Sequence, residues 1–222
     1  MLIVLEGLDG AGKSTQLKAM ETYFTEGGKP FQYLHFPQYD TPVFGTLIGR
    51  FLRGESGGNE AVDPYLVALL FAGNRYEKAG QIKKWLDKDN IVILDRYVYS
   101  NVAFQCAKMN SQEEKERLRS FILQMEYVYF GIPKPDINLF LDVPLDFVKD
   151  NLAAGRTGED RYYLEGKEDI HEASVEFQQR VREVYLEQTL LDPSFHVISC
   201  EDDQGKIASW QMIFERITPY LP

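Results

Sequence analysis

Gly7-Leu8-Asp9-Gly10-Ala11-Gly12-Lys13-Ser14 decides how the rest of this chain is read. It matches G-x-x-x-x-G-K-[ST], directly after the apolar run Leu2-Ile3-Val4-Leu5 and before a helical pattern. Glycines let successive backbone N–H groups turn toward one anion, Lys13 adds a point charge for the β and γ phosphates, and the Ser14 hydroxyl can ligand Mg²⁺. Strand before and helix after is the context that this mechanism requires, so the stretch predicts a nucleoside triphosphate site from Gly7 through Leu8, Asp9, Gly10, Ala11, Gly12, Lys13 and Ser14 to Thr15.

Working outward, strand and helix signals alternate without repeats. Helical periodicity runs from Lys13 to about Glu26, with Leu17, Met20 and Phe24 on one face and Gly27-Gly28 as the stop. Phe31 to Phe36 reads as a strand and Pro42 to Arg53 as a helix. Asp63-Pro64 supplies an N-cap and first-turn proline for a long helix reaching Leu86. Ile91-Val92-Ile93-Leu94 is a buried strand ending in Asp95-Arg96-Tyr97. Helices are expected near Ser100 to Lys108, Glu113 to Phe130, Pro144 to Leu152 and Asp169 to Leu190, strands at Ile137 to Leu141 and Phe195 to Ser199, and a last helix around Trp210, Ile213, Phe214 and Ile217. Five strands interleaved with helices predict an α/β fold of the P-loop NTPase kind, a three-layer α/β/α sandwich about a parallel sheet. At 222 residues and 44% hydrophobic content, one domain spanning 1–222 is expected.

Composition narrows the partners. Twenty-four basic against 34 acidic residues give a formal charge of -10, which disfavours nucleic acid. Cys106 and Cys200 are far apart and read as reduced cysteines. No segment approaches the ~18 apolar residues of a membrane span. A cytoplasmic enzyme acting on small molecules fits best.

In parallel open sheets ligands sit at the carboxyl ends of strands, so Asp95 and Arg96 are candidates for the second substrate. Arg96 can hold an acceptor phosphate bidentately, and Asp95 can orient it or hold a magnesium-bound water. On the long helix, Phe71 and Arg75 lie one turn apart on a common face; the ring can stack on a base and the guanidinium can donate to an exocyclic oxygen.

GLDGAGKST, FPQYDTPVFG, LLFAGNR, LDRYVYSNVAFQ, GIPKPDINLFL and GRTGEDR resemble, in this order and spacing, the thymidylate kinases, which phosphorylate dTMP to dTDP with ATP and Mg²⁺ in dTTP biosynthesis. The resemblance implies that Phe71 stacks on thymine, Arg75 reads the base and Arg96 grips the dTMP phosphate. It also implies that Phe36, Pro37 and Tyr39 close the acceptor pocket, that Asn101 and Phe104 line base and deoxyribose with the aromatic crowding a ribose 2′-hydroxyl, and that the chain forms homodimers through its long helices. Asp9 reads either as a turn-forming residue before Gly10 or as a carboxylate reaching the sugar 3′-hydroxyl and the magnesium shell; the resemblance supports the second. Ser14, Asp9 and Asp95 are therefore the candidate metal contacts. Some relatives carry an arginine at the place of Gly10, so charge on the transferring phosphoryl must be met elsewhere. The loop at about 153–166, with Arg156 and Arg161, is the candidate lid, although composition alone favours a solvated surface loop whose arginines pair with Glu159, Asp160 and Glu165. Glu172 is a further candidate near magnesium, and His35, His171 and His196 read as structural.

Two rivals stand beside a monophosphate kinase. A deoxynucleoside kinase would need a general base for a bare 5′-hydroxyl, against which a phosphate-gripping Arg96 argues. A GTPase switch would need an N-K-x-D reader, which is absent.

Overall fold

The computed structural model describes residues 1–153, 159–167, 169–172 and 174–222. Every residue of β1 (Leu2–Gly7) and β3 (Ile91–Asp95) is buried, as expected of aliphatic runs covered on both faces of a parallel sheet. With β2 (Phe31–His35), β4 (Ile137–Asp142) and β5 (Phe195–Ser199) they form one five-stranded sheet of order β2-β3-β1-β4-β5, with all pairings parallel. The order reverses at β1, and a crevice opens there at the carboxyl ends of β1 and β3. Around the sheet stand the α-helices α1 (Lys13–Glu26), α2 (Phe44–Leu52), α3 (Pro64–Leu86), α4 (Val98–Cys106), α5 (Gln112–Leu123), α6 (Leu145–Ala153), α7 (Val175–Glu187) and α8 (Trp210–Ile217). The fold is the expected α/β arrangement of a parallel sheet flanked by helices. A second apolar cluster, Ile48, Phe51, Leu52 and Val67 with Tyr39, Phe71, Tyr163 and Ile170 against it, lies apart from the main core.

Among the boundaries that depart from the sequence reading, three have a clear local reason. Helix α4 begins at Val98 rather than Ser100 because a distant side chain caps it: the Glu6 carboxylate accepts from the backbone N–H of Tyr97 (3.0 Å) and of Ser100 (3.2 Å). The helix expected from Glu113 to Phe130 starts at Gln112 behind a Ser111/Glu114 capping box and then widens into a π-helix, Gln124–Tyr129. The helix expected from Asp169 begins only at Val175. The Asp169 carboxylate accepts the His171 backbone N–H at 2.8 Å, a local turn that competes with helix, and Ser174 caps α7 by accepting from Phe177 at 3.1 Å.

Candidate active site

The loop between β1 and α1 is built by backbone geometry. Gly10 and Gly12 adopt φ of 76° and 77°, a left-handed conformation that side chains resist. A Cβ on Gly7 would stand 3.2 Å from that of Ala11, so the turn is tight as well. Helix α1 has no side-chain cap and no acidic residue in its first turn, leaving its N–H groups and positive dipole end to an incoming anion. Lys13 is buried, and its Nζ donates to the Leu8 carbonyl at 3.2 Å. Asn151 on α6 donates to the Gly10 carbonyl at 2.8 Å and braces the loop from outside.

Across the crevice, Arg96 follows β3 with φ of 65°. A non-glycine residue in this region costs about 1 kcal/mol or more. Its N–H donates to the Leu5 carbonyl, and the turn carries the side chain back toward the phosphate loop. There Nη2 meets Asp9 Oδ1 at 2.8 Å and Nη1 meets Ser100 Oγ at 3.1 Å. Burial opposes the Arg96 charge, but the carboxylates of Asp9, Asp95 and Glu6 outweigh it and raise the pKa. Glu6 itself is fully buried and its pKa is pushed up by that burial; Ser100 and Tyr185 hydroxyls at 2.6 and 3.0 Å help satisfy it.

Asp9, Gly10, Ala11, Gly12, Lys13, Ser14 and Thr15 line the same cavity of about 470 Å³ as Phe36, Pro37, Tyr39, Phe71, Arg75, Asp95, Arg96, Asn101 and Phe104. The structure thus brings together nearly every residue singled out from the sequence. Gly7 and Leu8 lie behind the loop, fully buried in Leu8's case. Arg156 lies outside the described residues, as does the side chain of Arg161, whose backbone belongs to a 3₁₀ segment, Glu159–Leu164. Glu172 is described but does not line the cavity.

Several lining or supporting groups were not evident in the sequence. Arg75 is held by Glu126, with contacts of 2.5 and 2.6 Å in a pair buried from solvent, and Asn101 Nδ2 donates to the same carboxylate at 3.0 Å. The π-helix carries this carboxylate, and nothing in its local pattern distinguishes it from a surface glutamate. Tyr163 stacks on Tyr39 with ring centroids 3.7 Å apart, and its hydroxyl donates to Asp169 at 2.7 Å. His35 and His171, read from the sequence as structural, line the cavity; His196 packs on Tyr220 away from it. The reversal at Asp169 returns His171 to the crevice, a tertiary event invisible in a short loop. Gln105 also lines it, with a buried Oε1 that has no partner among the described residues.

Among the described residues, no group of three or more His, Cys, Asp or Glu stands where it could hold a metal ion. Asp95, however, lines the cavity together with Ser14, its buried Oδ1 has no partner among the described residues, and a hard cation that keeps phosphate and water ligands needs only such a sparse oxygen set. Asp9 has Oδ1 on Arg96 and Oδ2 near Gln178 Nε2 at 3.3 Å.

A phosphate loop facing a base-sized slot and a buried arginine define the class, a P-loop nucleotide kinase with a second nucleotide as acceptor. The family model for thymidylate kinase matches residues 5–208. Thymidylate kinase of Mycobacterium tuberculosis strain H37Rv is 31% identical over 211 residues, 94% of this chain and 96% of its own. The human thymidylate kinase is 33% identical over 202 residues, 91% and 86% of the two chains. The solved thymidylate kinase of Candida albicans superposes with a TM-score of 0.70 at 27% identity, covering 99% of this chain and 90% of that one. The chain belongs to the thymidylate kinase family, kinases that transfer a phosphoryl group to dTMP.

Proposed function

We propose that the two sides of the cavity divide the family's reaction between them: ATP lies on the Gly7–Thr15 loop, and dTMP lies between Phe71 and Arg96, giving ADP and dTDP. The observation that carries this reading is the Asp9–Arg96 contact at 2.8 Å, which joins the phosphate loop directly to the arginine that closes β3. In-line transfer needs donor and acceptor phosphates face to face, and a phosphate oxygen is already nucleophilic, so positioning and charge neutralisation replace a general base. Lys13 neutralises the donor phosphates, Arg96 grips the acceptor phosphate, and Asp9 orients Arg96 and accepts from the sugar. Ser14 and Asp95 would hold magnesium, which when bound neutralises charge on the β and γ phosphates. Glu126 fixes the guanidinium plane of Arg75 for reading the base, while Phe36, Pro37, Tyr39, Asn101 and Phe104 wall the pocket. Gly10 stands where some relatives carry arginine, which favours Arg156 or Arg161 as the group that meets the phosphoryl in flight.

The homodimer is also proposed. Leu66, Leu69 and Tyr76 on α3, Phe121 on α5 and Val128 and Tyr129 on the π-helix all stand exposed, an apolar set on neighbouring elements that a second copy would cover. Sedimentation should give twice the 25.6 kDa chain mass. No helix among the described residues is long and apolar enough to cross a membrane, in keeping with a cytoplasmic place in dTTP synthesis.

A coupled ADP-release screen across the nucleoside monophosphates tests the assignment. dTMP should give the highest turnover. Turnover on thymidine but not dTMP would instead support a nucleoside kinase, and nucleotide exchange without turnover on any monophosphate a switch.

A further inference from the structure

His171 stands between the two ends of the acceptor pocket. On one side its ring lies 20° from the plane of Phe71, centroids 6.3 Å apart; on the other it packs on Phe104 at 4.8 Å, and Phe104 in turn lies under the Arg96 guanidinium at 5.3 Å. The Gln178 amide donates to the His171 carbonyl at 2.8 Å and approaches Asp9 Oδ2 at 3.3 Å, so the histidine backbone is tied to the carboxylate of the phosphate loop. The position is well held: Ile170 donates to the Leu52 carbonyl at 3.0 Å, and Arg53 donates to the Tyr163 carbonyl at 2.6 Å. Only 7% of His171 is exposed, it lines the cavity, and its Nε2 is buried with no partner among the described residues. A buried polar atom without a partner inside a binding cavity is either a standing cost of about 1–3 kcal/mol or a contact awaiting ligand.

We propose that His171 is a sugar-reading specificity residue, with its Nε2–H donating to the 3′-hydroxyl of the acceptor nucleotide. This rests on the reading that puts the base at Phe71 and the phosphate at Arg96, since the sugar must then bridge the span that His171 flanks. On a deoxyribose the 3′-hydroxyl is the one free hydroxyl within that span. A hydroxyl donates once and accepts twice, so it can give its proton to Asp9 while accepting from the imidazole.

The test compares kcat/KM for dTMP and for its 3′-deoxy analogue at saturating ATP and magnesium in wild type, His171→Phe and His171→Gln. Phenylalanine keeps the ring packing and removes the donor, and glutamine keeps an N–H. A neutral hydrogen bond is worth a factor of about three to ten. The Phe variant should lose about that factor on dTMP and little on the analogue, narrowing the preference between them by the same factor, while the Gln variant retains part of it. Equal losses on both substrates, or an unchanged preference in the Phe variant, would overturn the proposal and leave His171 as a packing residue. If wild type uses a different monophosphate, the assignment of dTMP fails, and the same comparison with that nucleotide and its 3′-deoxy form still decides the role of His171.

Discussion

The donor side and the acceptor side of the cavity are made by different means. From Gly7 to Thr15 the donor side is one continuous stretch in which backbone groups do most of the binding, and its geometry follows from glycines at φ of 76° and 77°. The acceptor side gathers side chains from the loop after β2, from α3, α4 and the π-helix, and from the segment Tyr163–His171, held by contacts such as Arg75–Glu126 and Tyr39–Tyr163. A site written in backbone tolerates change at most of its side chains and fails at one or two. A site assembled from side chains depends on partners that are themselves buried, so a change there registers in stability and in substrate recognition together.

Lys13→Ala gives the largest expected effect. Removing a preorganised positive group from developing phosphoryl charge costs about 10²–10³ in kcat. Thermal stability should barely change. Steady-state rates beside a melting curve check both halves of this expectation; a variant above a tenth of wild-type turnover would show that the donor side does not depend on that one charge.

Glu126→Gln should behave in the opposite way. It leaves Arg75 as a charge without its anion in a site where both partners are almost wholly buried. Losing one member of such a pair costs about 3 kcal/mol, or roughly 6–12 °C in Tm for a chain of this size. KM for dTMP should rise severalfold as the Arg75 plane loosens, with KM for ATP unchanged. If KM for ATP rose equally, the division between the two sides would not hold.

The same division explains what was legible in the sequence. The sheet could be read because Leu2-Ile3-Val4-Leu5 and Ile91-Val92-Ile93-Leu94 are apolar on both faces, a local signal. The phosphate loop could be read because its chemistry is contiguous. Phe71 and Arg75 showed themselves by helical spacing, whereas Glu126, 51 positions further along, carries no mark of the partner it meets. Glu6 is a similar case: a carboxylate at the end of an aliphatic strand turns out to cap α4 and receive the Tyr185 hydroxyl, both from distant parts of the chain. The place of His171 at the crevice was hidden for a related reason, since the Asp169 turn that precedes it sits where periodicity alone favours helix.

Asp169→Asn has the smallest expected effect and probes the acceptor side alone. Burial, with the Asp9 charge adding to it, pushes the Asp169 pKa up from 3.8 to about 7. A carboxyl that holds its proton more tightly when folded favours the folded chain fully below the unfolded value, and that contribution is lost as pH rises from about 4 to about 7. Asparagine cannot ionise; with its carbonyl on the His171 N–H it presents its amide N–H to the Tyr163 hydroxyl oxygen, as the protonated carboxyl would. The variant should therefore match wild type near pH 4 and exceed it progressively up to pH 7, with no further gain above. Each pKa unit corresponds to about 1.4 kcal/mol, and opening of the Tyr163–His171 segment limits the total, so a Tm difference of roughly 2–6 °C at pH 8 is expected. Parallel melting curves at pH 5, 6, 7 and 8 make the check; a gap that stays constant across them would mean that Asp169 is ionised throughout and that this wall of the cavity is far wetter than its packing indicates.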